Sequence, residues 1–330
     1  ATGAYMFWTV TCGAVPAILN VVMAYMVRAE GAAMHASIGT MSGCLLNIVL
    51  DPIFIMPWGF GMGAAGAGLA TFLANCFACL YFMVLLFLKR GRTYVCINPR
   101  KLSFDSSIVG GVCTVGIPAA IQNLLNVTGM TILNNFTSVY GANAVAAMGI
   151  AQKINQVPFF IANGLGQGIM PLISYNYASD NIPRMKHTLT FAARLAVSGL
   201  VVVSVLYSIF ADNLVAMFMN NPEIVEMGAK LLRGFCLALP FLCMDFLAVG
   251  VFQASGLGRN ALVFAILRKI VLEIPALFIL NHFFPLYGLS YAQFVAELVL
   301  AVAAVVILAR LFRRLETEKA QREAEKAARQ

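Results

Sequence analysis

The sequence predicts an all-α polytopic membrane protein, and three observations predict it: composition, the recurrence of apolar stretches of bilayer length, and the sidedness of positive charge. Hydrophobic residues make up 61% of the 330 residues and charged residues 11%, where a soluble domain carries roughly 25% charge. Water is therefore not the main solvent of this surface. Apolar stretches recur at about 4–27, 33–56, 63–88, 106–139, 142–177, 184–210, 224–256, 260–284 and 287–312, each long enough for the ~20 residues that a crossing helix needs. These are nine helical spans. A membrane barrel would show ~10-residue alternating segments, and the run from Leu45 to Leu50 does not alternate.

The net charge of +8 could suggest a nucleic-acid partner, but its distribution points to a bilayer. Sixteen of the 22 Lys and Arg residues fall in alternate connections or in the tail: Arg28; Lys89, Arg90, Arg92, Arg100 and Lys101; Arg184 and Lys186; Arg259; and seven between Arg310 and Arg329. By the positive-inside rule these segments face the cytoplasm. The intervening connections, Pro57 to Met62, Tyr140 to Asn143, Ala211 to Pro222 and His282 to Leu286, contain no Lys or Arg and face outward. Parity then puts the first residue outside and the last inside, in a bacterial inner membrane. With no initiator Met and no signal segment at the start, the expectation is a chain truncated at its N-terminus.

The first three spans and the last three share a pattern. Asn47 to Pro52 parallels Lys269 to Pro275, Pro16 matches Pro240, Ala29 and Gly31 match Ala254 and Gly256, and Gly63 matches Gly288, at offsets of 222 to 225. An offset of six helices leaves both copies in the same orientation, a parallel repeat, and predicts twelve spans in all, with ~120 residues upstream of this chain. The domain reading follows: 1–90 as three helices of a first lobe, 91–105 as a cytoplasmic inter-lobe loop marked by Gly91, Asn98 and Pro99, 106–314 as a six-helix second lobe, and 315–330 as a charged tail that is a short solvated helix or unstructured.

Polar groups inside the spans carry the chemistry, because an ionisable side chain in hydrocarbon costs several kcal/mol. Asp245 lies among Phe241, Leu242, Phe246 and Leu247 with no basic residue one turn away, so it can exchange a proton or bind Na⁺ as access alternates. Glu273 follows Lys269 by four residues, on one helical face where the two can pair. Arg268 points elsewhere and can meet Glu297 of the last span or Asp245. Asp51 precedes Pro52, where a helical turn can be broken and backbone groups freed, so capping or hinge use stands beside an ion-coupling role. Arg194, Lys230 and Arg233 lie nearer span ends, where long side chains snorkel to the interface.

Two uncharged stripes add a cavity wall. Gln152, Gln156, Asn163 and Gln167 recur at steps of four, seven and four with Phe159 and Phe160 between, and Asn123, Asn126, Met130 and Asn134 do the same one span earlier. Such stripes face a cavity or another helix rather than lipid. Lys153 beside Gln152 can add a charge. Cys76 and Cys79 form a lone C-x-x-C within a span, better read as small packing residues than as a metal or redox site. The glycines of Gly164-x-Gly166-x-Gly168 follow no strand and precede no Gly-Lys-Ser, so they read as close helix packing rather than a phosphate loop. No nucleophile, base and orienting acid cluster together, so an enzyme has no support.

Arg28 to Gly31, Asn47 to Ile55, Gly61 to Ala65, Gly116 to Ala119, Gly166 to Tyr177, Phe252 to Gly256, Arg268 and Ile274-Pro275 together resemble a transporter of the multidrug and toxic compound extrusion (MATE) family, up to about Arg314. The resemblance implies two six-helix bundles, nine of the twelve helices present, rocking about a central cavity. It implies export of amphipathic, often cationic, drugs or metabolites in exchange for H⁺ or Na⁺, with no cofactor beyond that ion, by a monomer. Asp245 matches by position the acidic residue of second-lobe coupling proposals, although Met244 to Leu247 does not reproduce the more polar run of some branches. A lipid-linked saccharide flippase of the same superfamily is the rival, and would need more cavity cations than Lys153, Arg268 and Arg233. A non-transporting scaffold would need no mid-membrane carboxylates at all.

The charge count predicts that cysteine probes reach 89–105 from the cytoplasm and 211–222 from outside. Labelling of intact cells that modified the first segment and spared the second would overturn the topology.

Overall fold

A computed structural model describes residues 2–89, 93, 95 and 103–329. Arg90, Arg92, Arg100 and Lys101, and most of the expected inter-lobe loop 91–105, lie outside the described residues. Among those described, the structure is helical with no strand. It divides into two compact units, Ala1–Ser103 and Phe104–Gln330.

The first unit begins with α1 (Thr2–Met6), a π-helical stretch Phe7–Cys12, and α2 (Ala14–Ala29); the pair is bent by 51°. Pro16 explains the break, because its ring crowds the carbonyl four residues back, that of Cys12, and it has no N–H to donate. Helices α3 (Ala33–Ile55) and α4 (Ala64–Leu88) follow and lie close together because glycine lets them. A side chain at Gly39 would collide with the ring of Phe82, and one at Gly43 would sit 3.1 Å from the Ala74 carbonyl. The Cys79 thiol donates to the Pro16 carbonyl at 3.0 Å, a contact between α4 and α2 in keeping with packing. Asp51 does not mark a break: α3 continues through Pro52 to Ile55, since a helix whose next turn ends can lose one hydrogen bond at little cost.

The second unit contains α5 (Ser106–Ser138), α6 (Ala142–Ala178), α7 (Ile182–Ile209), the short α8 (Ala211–Ala216), α9 (Pro222–Ala254), α10 (Gly258–Ile266), a π-helical stretch Leu267–Glu273, α11 (Ile274–Phe283) and α12 (Gly288–Arg329). Asn181 and Asn221 cap α7 and α9 by accepting from the N–H groups of Arg184 and Glu223, and Pro follows near each start, where its missing N–H costs nothing. Helix α9 is the core. Leu231, Leu232, Phe235, Leu239, Leu242, Leu247 and Phe252 are all buried along it, against α6, α7 and α12. The α6–α9 crossing is tight at Gly166 and Gly250: a Cβ on either would lie 3.0–3.1 Å from a carbonyl oxygen of the opposite helix. Gly164 and Gly168 face open space, so one of the three alternating glycines makes the contact.

Among the described residues seven helices are long and apolar enough to cross a membrane, and the bent pair Thr2–Cys12 with Ala14–Ala29 makes an eighth if it is one span. The ninth stretch, from Gly258 to Phe283, is helical throughout but is divided by its π segment and charged at Arg259, Arg268, Lys269 and Glu273. The tail is no separate helix: α12 runs unbroken to Arg329. Lys319 donates to the Asp180 carbonyl at 3.1 Å, Arg322 lies 3.3 Å from the Asp180 carboxylate, and Lys186 lies 3.8 Å from Glu316. The basic turn between α6 and α7 and the tail therefore lie on the same side.

Gly166→Leu should lower stability by about 1–3 kcal/mol, the usual cost of overpacking, while Gly168→Leu should leave it nearly unchanged. Thermal unfolding in detergent compares them, and equal midpoints would contradict the assigned crossing.

Candidate functional site

Three helices of the second unit deliver charge to one buried point. Asp245 comes from α9, Arg268 from the π segment and Glu297 from α12, all buried. Pro275 accounts for the π geometry: it cannot donate to the Val271 carbonyl and crowds it, and a widened turn absorbs the mismatch. The Arg268 Nη1 donates to Asp245 Oδ2 at 2.6 Å, and Nη2 lies 2.6 Å from Glu297 Oε1. The planar guanidinium suits this role, because its fork presents several donors at once. It also lies 5.8 Å from the ring centroid of Phe246. One residue on, the Lys269 ammonium sits 2.6 Å from Glu273 Oε2 and donates to Oε1 at 2.8 Å. Gly129 of α5 makes room for it, since a Cβ there would lie 3.2 Å from Lys269 Nζ.

The cluster is not neutral as drawn, with three carboxylates facing two cations. Asp245 Oδ1, Glu297 Oε2 and Arg268 Nε have no hydrogen-bond partner among the described residues. Desolvating each ion costs several kcal/mol, repaid only by close and complete pairing. A proton or a small cation would balance the surplus carboxylate.

Beside it opens a cavity of about 250 Å³, lined by Asn126, Gly129, Met130 and Leu133 of α5, Gln152, Asn155, Gln156, Phe159 and Phe160 of α6, Phe235 of α9, Gln293 of α12, and Arg268, Lys269 and Glu273. Of the sequence candidates, Asn126, Met130, Gln152, Gln156 and Phe159 thus share a wall with Arg268 and Glu273. Asn134 stands behind that wall, its Oδ1 facing Gln152 Nε2 at 3.4 Å. Asn123, Lys153, Asn163 and Gln167 do not line it. Asn123 bonds back to the Ala119 carbonyl, Lys153 is exposed on another face of α6, and Gln167 donates to Asn163 further along the helix. A stripe on a helix this long continues past the end of a cavity this small. Asp51 belongs to the first unit, where Asn47 Nδ2 reaches its Oδ1 at 3.4 Å.

Sequence reasoning missed Asn155, Gln293 and Gly129. Asn155 was available, because it follows Gln152 by three residues and so shares its face. Gln293 precedes Glu297 by four and was available on the same ground. Nothing in the sequence marks Gly129. Among the described residues no group of three metal-ligating side chains exists.

Residues 118–279 match the MatE family model, a range that includes the cavity residues of α5, α6 and α9 and the π segment. The chain is 34% identical over 304 residues to the multidrug export protein MepA of Staphylococcus aureus (strain bovine RF122 / ET3-1), a match covering 91% of this chain and 65% of that protein. The chain thus spans less than two thirds of that relative's length. A multidrug resistance MATE family transporter of the MOP superfamily, solved in an outward-facing conformation, superposes with a TM-score of 0.89 at 25% identity over 95% of this chain and 70% of its own. A mutant of the Vibrio cholerae MATE transporter VcmN shares the fold, with a TM-score of 0.86 at 21% identity over 94% of this chain and 69% of its own.

Arg268→Leu should cost about 3–5 kcal/mol, because it strands two buried carboxylates. Combining it with Asp245→Asn and Glu297→Gln should regain most of that loss. Unfolding midpoints in detergent test this, and a triple variant no more stable than Arg268→Leu alone would disprove the paired arrangement.

Proposed function

Since this chain belongs to the MATE family, whose members are transporters and not enzymes, we propose that it is a secondary active efflux transporter exporting amphipathic, often cationic, drugs or metabolites by antiport. One observation carries the reading: a buried ionic cluster with a surplus carboxylate borders a cavity of mixed aromatic and amide character. Phe159, Phe160, Phe235 and Met130 offer apolar contact, Asn126, Gln152 and Gln156 offer adaptable hydrogen bonds, and the surplus carboxylate of the adjoining cluster offers negative charge. An organic cation needs all three.

The coupling follows from competition. When a proton or Na⁺ occupies the surplus carboxylate, Glu273 is held by Lys269 and the site is balanced. When the ion leaves, the net negative site attracts a cationic substrate. Arg268 can shift its weight between Asp245 on α9 and Glu297 on α12, so ion occupancy can bias how these helices sit, and a ligand moves a conformational equilibrium only through such differential contacts. Asp51 of the first unit is a second ion-coupling candidate, held by a weaker amide contact.

The flippase reading loses ground at the same residues, because Arg268 and Lys269, the cations at this cavity, are already held by carboxylates, and Lys153 lies outside it. The C-terminal tail is read as cytoplasmic, on the positive-inside rule and its shared side with the basic 180–186 turn.

In the full-length protein, Asp245→Asn should leave insertion intact and uncouple export from the gradient, cutting gradient-driven efflux by on the order of tenfold, as loss of one kcal-scale coupling term would. Efflux from vesicles under an imposed H⁺ or Na⁺ gradient, normalised to folded protein, measures it. Full gradient-driven efflux in Asp245→Asn would move the coupling role to Glu273, Glu297 or Asp51.

A further inference from the structure

Helix α7 bears a second polar recess, remote in role from the cavity. Lys186, His187, Thr190 and Arg194, with Pro183 and Phe191, line a recess of about 460 Å³ closed on one side by Glu316 of α12. The buried face of α7 is Met185, Leu189, Ala192 and Ala196. His187 and Arg194 project from the opposite side, which the rest of the second unit leaves uncovered. That side is mostly apolar beyond them: Phe191, Leu195 and Val202 recur at steps of four and seven and are all more than half exposed, and Ser198 between them turns its hydroxyl back to the Leu195 carbonyl.

Arg194 is the anomaly. It lies eight residues beyond Lys186, about 12 Å further along the helix at 1.5 Å per residue, on an apolar membrane helix, with no carboxylate partner among the described residues. Lys186 alone shares an acid, Glu316, at 3.8 Å, and both of those side chains are about half exposed. Three basic groups of stepped depth above an apolar strip match an amphiphile carrying a phosphate: the headgroup meets the bases and the chains lie along the strip. Basic recesses at the membrane surface bind anionic lipid headgroups on this principle.

We propose that this recess is a binding site for an anionic phospholipid, whose phosphate is held by Arg194, His187 and Lys186 and whose acyl chains lie against Phe191, Leu195 and Val202. Glu316 competes with the phosphate for Lys186, so the tail of α12 limits the affinity. The site is separate from the ionic cluster and stands whether or not the antiport reading does.

The test is retention of phosphatidylglycerol against phosphatidylcholine by the purified full-length protein, read as lipid-bound species in native mass spectrometry. The unaltered protein should retain phosphatidylglycerol preferentially. His187→Gln with Arg194→Gln should weaken that retention by on the order of tenfold, with an unchanged unfolding midpoint in lipid-free detergent. Glu316→Gln should strengthen it, a gain that a merely structural acid would not give. Equal retention of both lipids, an unaffected double variant, or displacement of phosphatidylglycerol by millimolar inorganic phosphate would each overturn the proposal, the last by assigning the recess to free phosphate.

Discussion

A guanidinium held between two carboxylates at the centre of an apolar bundle is the constraint on which the second unit depends. Arg268 is buried between Asp245 and Glu297, and each ion left unpaired there would carry several kcal/mol of desolvation. The three come from different helices, so their pairing fixes how α9, the divided α10–α11 helix and α12 sit together. Close approach is then required elsewhere. Gly234 of α9 meets Ser290 of α12 where any side chain would collide, and Gly166 and Gly250 bring α6 against α9. Electrostatic pairing sets the geometry, and small residues permit it.

The π-helical stretch is what makes the cluster two-faced. Arg268 reaches Asp245 and Glu297 between α9 and α12 and also borders the cavity, which its neighbour Lys269 and Glu273 line with it. A regular α-helix followed by Pro275 would lose a hydrogen bond at this point without changing which side chains face inward. Consecutive residues thereby hold two ion pairings, one reaching between α9 and α12 and one at the cavity wall. The two are tied through one short segment of backbone.

Much of this was legible in the sequence, and the parts that were not have identifiable causes. Composition and span length gave the helical class, since the bilayer imposes both. The i, i+4 spacing gave the Lys269–Glu273 pair, a local fact. Arg268 was narrowed to Asp245 or Glu297, but that it binds both depends on how three helices pack, which no local pattern encodes. The amide stripes gave the cavity's α5 and α6 walls but not its length, so Asn123, Asn163 and Gln167 fell outside. Gly129 as the space for Lys269 depends on tertiary contact alone, and the π geometry on how the helix absorbs Pro275. Asp51 was misjudged in its backbone: a proline near the end of a helix need not break it.

The two segments that the sequence pattern pairs differ in one chemical respect. Asn47 and Asp51 stand four residues apart in α3, as Lys269 and Glu273 stand in the π segment, each just before a proline, and in both the first side chain donates to the second. An amide donor at 3.4 Å leaves the carboxylate of Asp51 its full charge to satisfy, whereas an ammonium at 2.6–2.8 Å neutralises Glu273. The lysine therefore allows the second segment to keep a buried acid beside the cavity, with Arg268 adding further pairs next to it. In the first copy the acid must remain half-buried, where water or an ion can reach it. The second site thus carries two internal cations and still one carboxylate more than they balance, whereas at the first it is the uncharged Asn47 amide that faces Asp51.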